Sequence, residues 1–256
     1  MTLQIDRDDN ILTVTIDRPE RRNAVDGETA KALYTAFRDF DTDESLSVAI
    51  LTGAKGNFCA GADLKAVSEG KGNPVLVEGD MAPMGPGRLR LSKPVIAAVE
   101  GFAVAGGLEL ALWCDLRVAA QSSAFGVFCR RWGVPLVDLG TIRLPRLIGQ
   151  SRASDMILTG REVKAEEALS FGLVNRLVPD GEALAEARKL AADIAAFPQR
   201  CLRSDRRSMF EQWDLEEADA IRREVQLGLE TIKSGETREG ATAFAKGRGR
   251  HGEFGD

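Results

Sequence analysis

The 256-residue sequence is 44% hydrophobic with a formal net charge of -5, enough apolar content for one sizeable domain or one domain plus an appendage. Its 34 basic and 39 acidic residues are interspersed, which argues against a dedicated nucleic-acid binder with a basic stripe. Cys59, Cys114, Cys129 and Cys201 form no CxxC pair, so neither a disulfide framework nor a zinc site is expected. The start MTLQIDRDDN lacks a signal-peptide pattern and no apolar run approaches a membrane span, so the expectation is a soluble, cytoplasmic chain with no membrane partner. His251, the single histidine, lies in a Gly/Arg-rich tail. A His-based triad or His-ligated metal is thereby nearly excluded, and acid/base chemistry falls to carboxylates, Cys, Tyr or Lys.

In chain order, Leu3–Arg7 and Ile11–Ile16 alternate around Asp8-Asp9-Asn10 and predict a hairpin. Glu28–Asp41 carries a helical stripe (Ala32, Leu33, Ala36, Phe37, Phe40). Val48–Thr52 is a buried strand running into the loop Gly53–Gly61, after which Asp63 and Leu64 open a short helix. Gly70–Gly87, rich in Gly, Pro and Met, is expected to be a mobile flap. Strand Pro94–Val99, a loop through Gly106-Gly107, helix Leu108–Trp113 and strand Leu116–Ala119 follow. Such recurring strand–loop–helix units predict an α/β layered domain. From Thr141 the pattern turns helical, with helices at Asp180–Ala196, Pro198–Phe210, Asp214–Lys233 and Thr237–Lys246. The last two suit an appendage packing on another subunit.

Two loops share a design: a buried strand, small residues, then a helix start. They are Phe58-Cys59-Ala60-Gly61-Ala62-Asp63-Leu64-Lys65 and Gly101-Phe102-Ala103-Val104-Ala105-Gly106-Gly107-Leu108-Glu109. Small residues admit a ligand to the main chain, and free amides at a helix N-terminus favour negative charge. Either loop alone is more often mere tight packing; together they could aim two N–H groups at one oxygen. Gly106-Gly107 does not fit GxGxxG, so no nucleotide redox cofactor is expected.

The ordered run Arg18-Pro19…Asn23-Ala24, Ala60–Leu64, Ala105–Ala111 and Cys114-Asp115 resembles the enoyl-CoA hydratase/isomerase (crotonase) family. Phe125-Gly126, Leu144–Gly149, Leu158–Arg161 and Ala168–Val174 extend the resemblance over nearly the whole chain. It implies an α/β fold, a crotonase-like ββα spiral over residues 1–197. A C-terminal helical region over 198–256 would then build a homotrimer or a dimer of trimers. It also implies an acyl-CoA thioester substrate, with coenzyme A as part of the substrate and no further cofactor or metal.

By the same resemblance the amides of Ala62 and Gly106 form an oxyanion hole. The adenine end of CoA lies along Ala60–Lys65 (Ala60, Asp63, Leu64, Lys65) with help from Arg22 and Ala24. Lys246 or Arg248 is a candidate phosphate partner. The first family glutamate matches Glu109, three residues after Gly106; its apolar neighbours disfavour a solvated reading. The second is replaced by Cys129, either a substrate-contacting thiol or a small packing residue. Asp138 is the other catalytic candidate, read as a buried proton donor toward the acyl chain or as a cap for a helix starting near Leu139. Met81, Met84 and Leu89 line an acyl pocket or pack in the core. The leading expectation is a hydratase that adds water across the 2,3 double bond of an enoyl-CoA. The alternatives are an isomerase, hydrolase or dehalogenase on the same fold, or a catalytically silent acyl-CoA-binding protein.

Overall fold

A computed structural model describes residues 2–249; His251 lies outside the described residues. The chain divides into two compact units, one ending at Ala192 and the other starting at Asp193.

The first unit opens with an antiparallel pair, β1 (Leu3–Asp8) and β2 (Ile11–Ile16), as the alternation predicts. Helix α1 (Gly27–Thr42) is capped by the Asp26 carboxylate, which accepts the Thr29 N–H, and buries Leu33, Ala36, Phe37 and Phe40. Strand β3 (Val48–Gly53), the five-residue helix α2 (Leu64–Ser68), strand β4 (Val95–Val99), strand β5 (Phe102–Val104) and helix α3 (Gly106–Trp113) follow. Next come β6 (Leu116–Ala120), β7 (Ala124–Gly126), α4 (Gly140–Ile148) and α5 (Gln150–Thr159). Strand β8 (Val163–Lys164), α6 (Ala165–Ser170), β9 (Arg176–Val178) and α7 (Ala183–Ala196) complete the series, α7 running across the division between the units.

Six strands form one sheet in the order β1-β2-β3-β4-β6-β9, parallel beyond the first pair. Both faces of its centre are covered, so β3 and β4 are apolar runs without alternation. The small sheet β5-β7-β8 corrects the sequence reading: Phe102–Val104 is a strand and not loop, and the region after Thr141 returns two strands, β8 and β9, to the sheets. Strands of two or three residues are too short to show a period of two.

The 70–87 segment is also different from the expected loose flap. Val75, Leu76 and Val77 are exposed, but residues 82–87 are buried. The Asn73 amide ties the segment down by donating to Val25 O (3.2 Å) and Pro83 O (2.8 Å). Met84 is a core residue, and Met81 and Leu89 pack against that core.

The second unit holds α8 (Gln199–Glu211), α9 (Glu217–Lys233) and α10 (Glu236–Ala245). The Glu236 carboxylate accepts the N–H groups of Arg200 and Cys201 and so caps α8. Glu211 receives both Arg207 and Arg223 at 2.6 Å. Along α9, Ile221, Val225, Leu229 and Ile232 form an exposed apolar stripe.

Candidate active site

The two small-residue loops meet. Cys59 N–H donates to Phe102 O (2.8 Å) and Val104 N–H returns the bond to Cys59 O (3.1 Å), which lays the first loop alongside β5. The approach demands glycine at both contacts. A Cβ on Gly107 would fall 2.0 Å from Cys59 O, and one on Gly61 would fall 3.0 Å from the Gly106 nitrogen. Gly61 also has φ +97°, a left-handed conformation that costs glycine little. Ala105 takes φ 54°, a sparsely populated conformation for a residue with a Cβ, directly before α3. Val25 N–H holds Gly61 O and Asp63 N–H holds Val25 O, which fixes Ala62 between them. Among the described residues neither the Ala62 nor the Gly106 N–H has a protein acceptor, as befits a loop amide and the first residue of a helix.

Glu109 lies one turn into α3 and is 3% exposed, so the solvated reading fails. Its Oε1 accepts the N–H groups of Asp138 (2.9 Å) and Gly140 (2.8 Å). Leu139 between them has φ 70°, which turns the two flanking amides toward one oxygen. Burial, with the nearby Asp138 charge adding to it, pushes the Glu109 carboxyl up to about 7; the amide donors oppose the shift.

Asp138 is 2% exposed and does not cap α4, whose first N–H, that of Gly140, is held by Glu109 instead. The Asp138 Oδ1 accepts the Met84 N–H at 2.8 Å. Burial raises it to about 6, against the pull of that amide and of Arg88 and Arg143. Two buried carboxyls with displaced proton affinities in one place are a signature of acid/base chemistry.

The family model for enoyl-CoA hydratase/isomerase matches residues 6–253. The chain belongs to that family. It is 38% identical over 248 residues to an enoyl-CoA hydratase, EchA19, of Mycobacterium tuberculosis, covering 95% of this chain and 93% of that one. It is 41% identical over 201 residues to a carnitinyl-CoA dehydratase of Salmonella typhi, covering 75% and 74%. Its fold superposes on the crystal structure of the enoyl-CoA hydratase EchA1 from Mycobacterium marinum with TM-score 0.90 at 39% identity, over 96% of each chain. The architecture above is therefore the crotonase fold.

Within this family member the expected residues separate into groups. Gly61, next to Ala62, lies against Gly106; Glu109 follows Gly106 on α3, and the Asp138 N–H meets Glu109, so Ala62, Gly106, Glu109 and Asp138 sit in adjoining segments. Cys129 sits in a 3-10 turn (Phe128–Trp132), is 6% exposed and joins the core, and burial together with Glu109 raises its thiol pKa. It stays protonated at neutral pH and cannot replace a carboxylate as base.

Asp63, expected to touch substrate, has its carboxylate engaged: Oδ1 caps α2 through Lys65 and Ala66, and Oδ2 meets Arg18 at 3.0 Å. Arg18 also pairs with Asp26 (2.8 Å) and donates to Ala24 O, so Ala24 and Asp63 shape the loop. Arg22, Leu64 and Lys65 are exposed and Ala60 is half-buried. Arg22 lies over the Phe102 ring at 5.7 Å, and its carbonyl accepts the Ala60 N–H. Lys246 and Arg248 belong to the second unit.

Sequence reasoning missed Gly140, Arg143 and the bond from the Met84 main chain to Asp138. Gly140 had a signal, a glycine just before a helical stripe; the Met84 contact is made by a main-chain N–H, which leaves no trace in residue type.

Proposed function

We propose that this protein is an enoyl-CoA hydratase that adds water across the 2,3 double bond of an enoyl-CoA thioester. The observation that carries the reading is Glu109: a buried carboxylate with raised proton affinity, one turn from the Gly106 amide and aligned by two main-chain donors. Two relatives above carry the names enoyl-CoA hydratase and carnitinyl-CoA dehydratase, water-adding and water-removing activities on CoA thioesters.

In this reading the thioester oxygen lies between the Ala62 and Gly106 N–H groups. Glu109 takes a proton from water as its oxygen bonds to C3. The electron pair of the double bond moves through C2 to the thioester oxygen, where the two amides hold the enolate charge. The proton then passes from Glu109 to C2, and the thioester carbonyl re-forms. One carboxylate takes and returns the proton, with Asp138 raising its proton affinity, so no second glutamate is needed where Cys129 stands. The exposed α9 stripe supports assembly into a homotrimer or a pair of trimers.

The test is loss of crotonyl-CoA absorbance across pH. Turnover is expected, with kcat/KM falling about tenfold per unit below about pH 7, where Glu109 takes up its proton. Tight binding of the thioester with no turnover at any pH would instead mark a silent binding protein.

A further inference from the structure

Arg143, in the first turn of α4, is a half-buried cation to which the hydratase mechanism gives no role. Its Nη2 donates to Gly87 O at 2.8 Å, while Nη1 is buried with no hydrogen-bond partner. The segment it grips is the one that holds Asp138. Met84 N–H donates to Asp138 Oδ1, and a Cβ on Gly87 would lie 3.2 Å from that same oxygen. At its other end, α4 begins at Gly140, whose N–H holds Glu109. One guanidinium therefore joins the element that orients Glu109 to the element that orients Asp138.

Resting on the hydratase reading, we propose that Arg143 is a positioning residue for the carboxylate pair, clamping the 84–87 segment against α4 and supplying the positive charge that the two buried carboxyls share. The charged and titratable groups around this cluster come from several elements. Glu109 comes from α3 and Cys114 from its end. Cys129 comes from the 3-10 turn, Asp138 precedes α4, and Arg88 and Arg90 come from the segment before β4. Of the cations, Arg88 and Arg143 act on Asp138, and the Arg143 guanidinium feels Cys114, Glu109 and Asp138 in turn.

The experiment compares pH profiles of kcat/KM for the full-length wild type, Arg143→Gln and Arg143→Lys, with thermal melting to confirm folding. Gln keeps a polar N–H donor on a shorter side chain but no charge. Its acid limb should move to higher pH by about one unit, so activity at pH 6 falls about tenfold further than at pH 9. Lys keeps the charge and should hold the limb at the wild-type position. It should lose activity again at alkaline pH as the buried ammonium deprotonates, where wild type stays level. A purely structural arginine gives equal losses at every pH in both variants, and that result overturns the proposal. Should Arg143→Gln fail to fold, the alkaline loss in Arg143→Lys decides alone. If wild type itself has no turnover, or Glu109→Gln retains full turnover, the hydratase reading fails rather than the role of Arg143.

Discussion

Replacing Glu109 by Gln is expected to lower kcat/KM for crotonyl-CoA by roughly 10²–10⁴, the range for removing a positioned general base. The same change should stabilise the protein at alkaline pH. Gln is isosteric, and its Oε1 can keep the bonds from Asp138 and Gly140. In the folded protein the Glu109 carboxyl is raised from 4.5 to about 7, so the native state holds the proton more tightly than the unfolded chain. Stability therefore falls as pH rises through that window, and above it the full cost of an ionised, buried carboxylate is present. At 1.36 kcal/mol per unit this is about 3 kcal/mol, which Gln escapes. Melting at pH 8 should rise by several degrees in the variant, and the difference should vanish near pH 4.5. Unchanged activity would remove Glu109 from the chemistry. Equal melting at both pH values would show that its burial carries no such cost.

Gly140→Ala should cost activity without costing the fold. A Cβ there would meet Glu109 Cγ and Oε1 at 2.8 Å each. Gly140 does not have a positive φ, so alanine suits its backbone and helix α4. The three nearest atoms all belong to the Glu109 side chain, which must swing away and lose its alignment. A misplacement of about 1 Å commonly costs ~10² in rate. We expect kcat to fall by that order, with KM within a few-fold of wild type because the amides of Ala62 and Gly106 are untouched. Stopped-flow or steady-state kinetics separate the two constants. A rise in KM at constant kcat would place Gly140 in binding and not in alignment.

How much of this was legible in sequence depended on length and on whether side chains or main chain do the work. Helix α1 and the buried strands β3 and β4 announce themselves, because sixteen residues can display a period and apolar runs such as Val48–Leu51 and Val95–Val99 have few other uses. Strands β5, β7, β8 and β9 span at most three residues and exist only by pairing with distant partners. Glu109 was singled out by the family resemblance, and its apolar neighbours foretold its burial.

Asp138 was legible as a candidate, but its role was ambiguous between cap and acid, because the deciding partner, the Met84 amide, lies 54 positions away. Arg143 was hidden for a similar reason. In a helical stretch that also carries Arg146, nothing local marks which arginine turns inward to Gly87. Nothing in the sequence signalled that the Asp63 carboxylate is engaged by its own helix and by Arg18, since Arg18 lies 45 positions away.

The central claim is that two main-chain donors share one thioester oxygen. A crystal structure of the protein with acetoacetyl-CoA tests it directly. The account predicts that oxygen about 3 Å from both the Ala62 and Gly106 nitrogens, with the Glu109 carboxylate facing the C2–C3 bond. A thioester carbonyl turned away from either nitrogen, or an acyl group lodged away from Glu109, would contradict it.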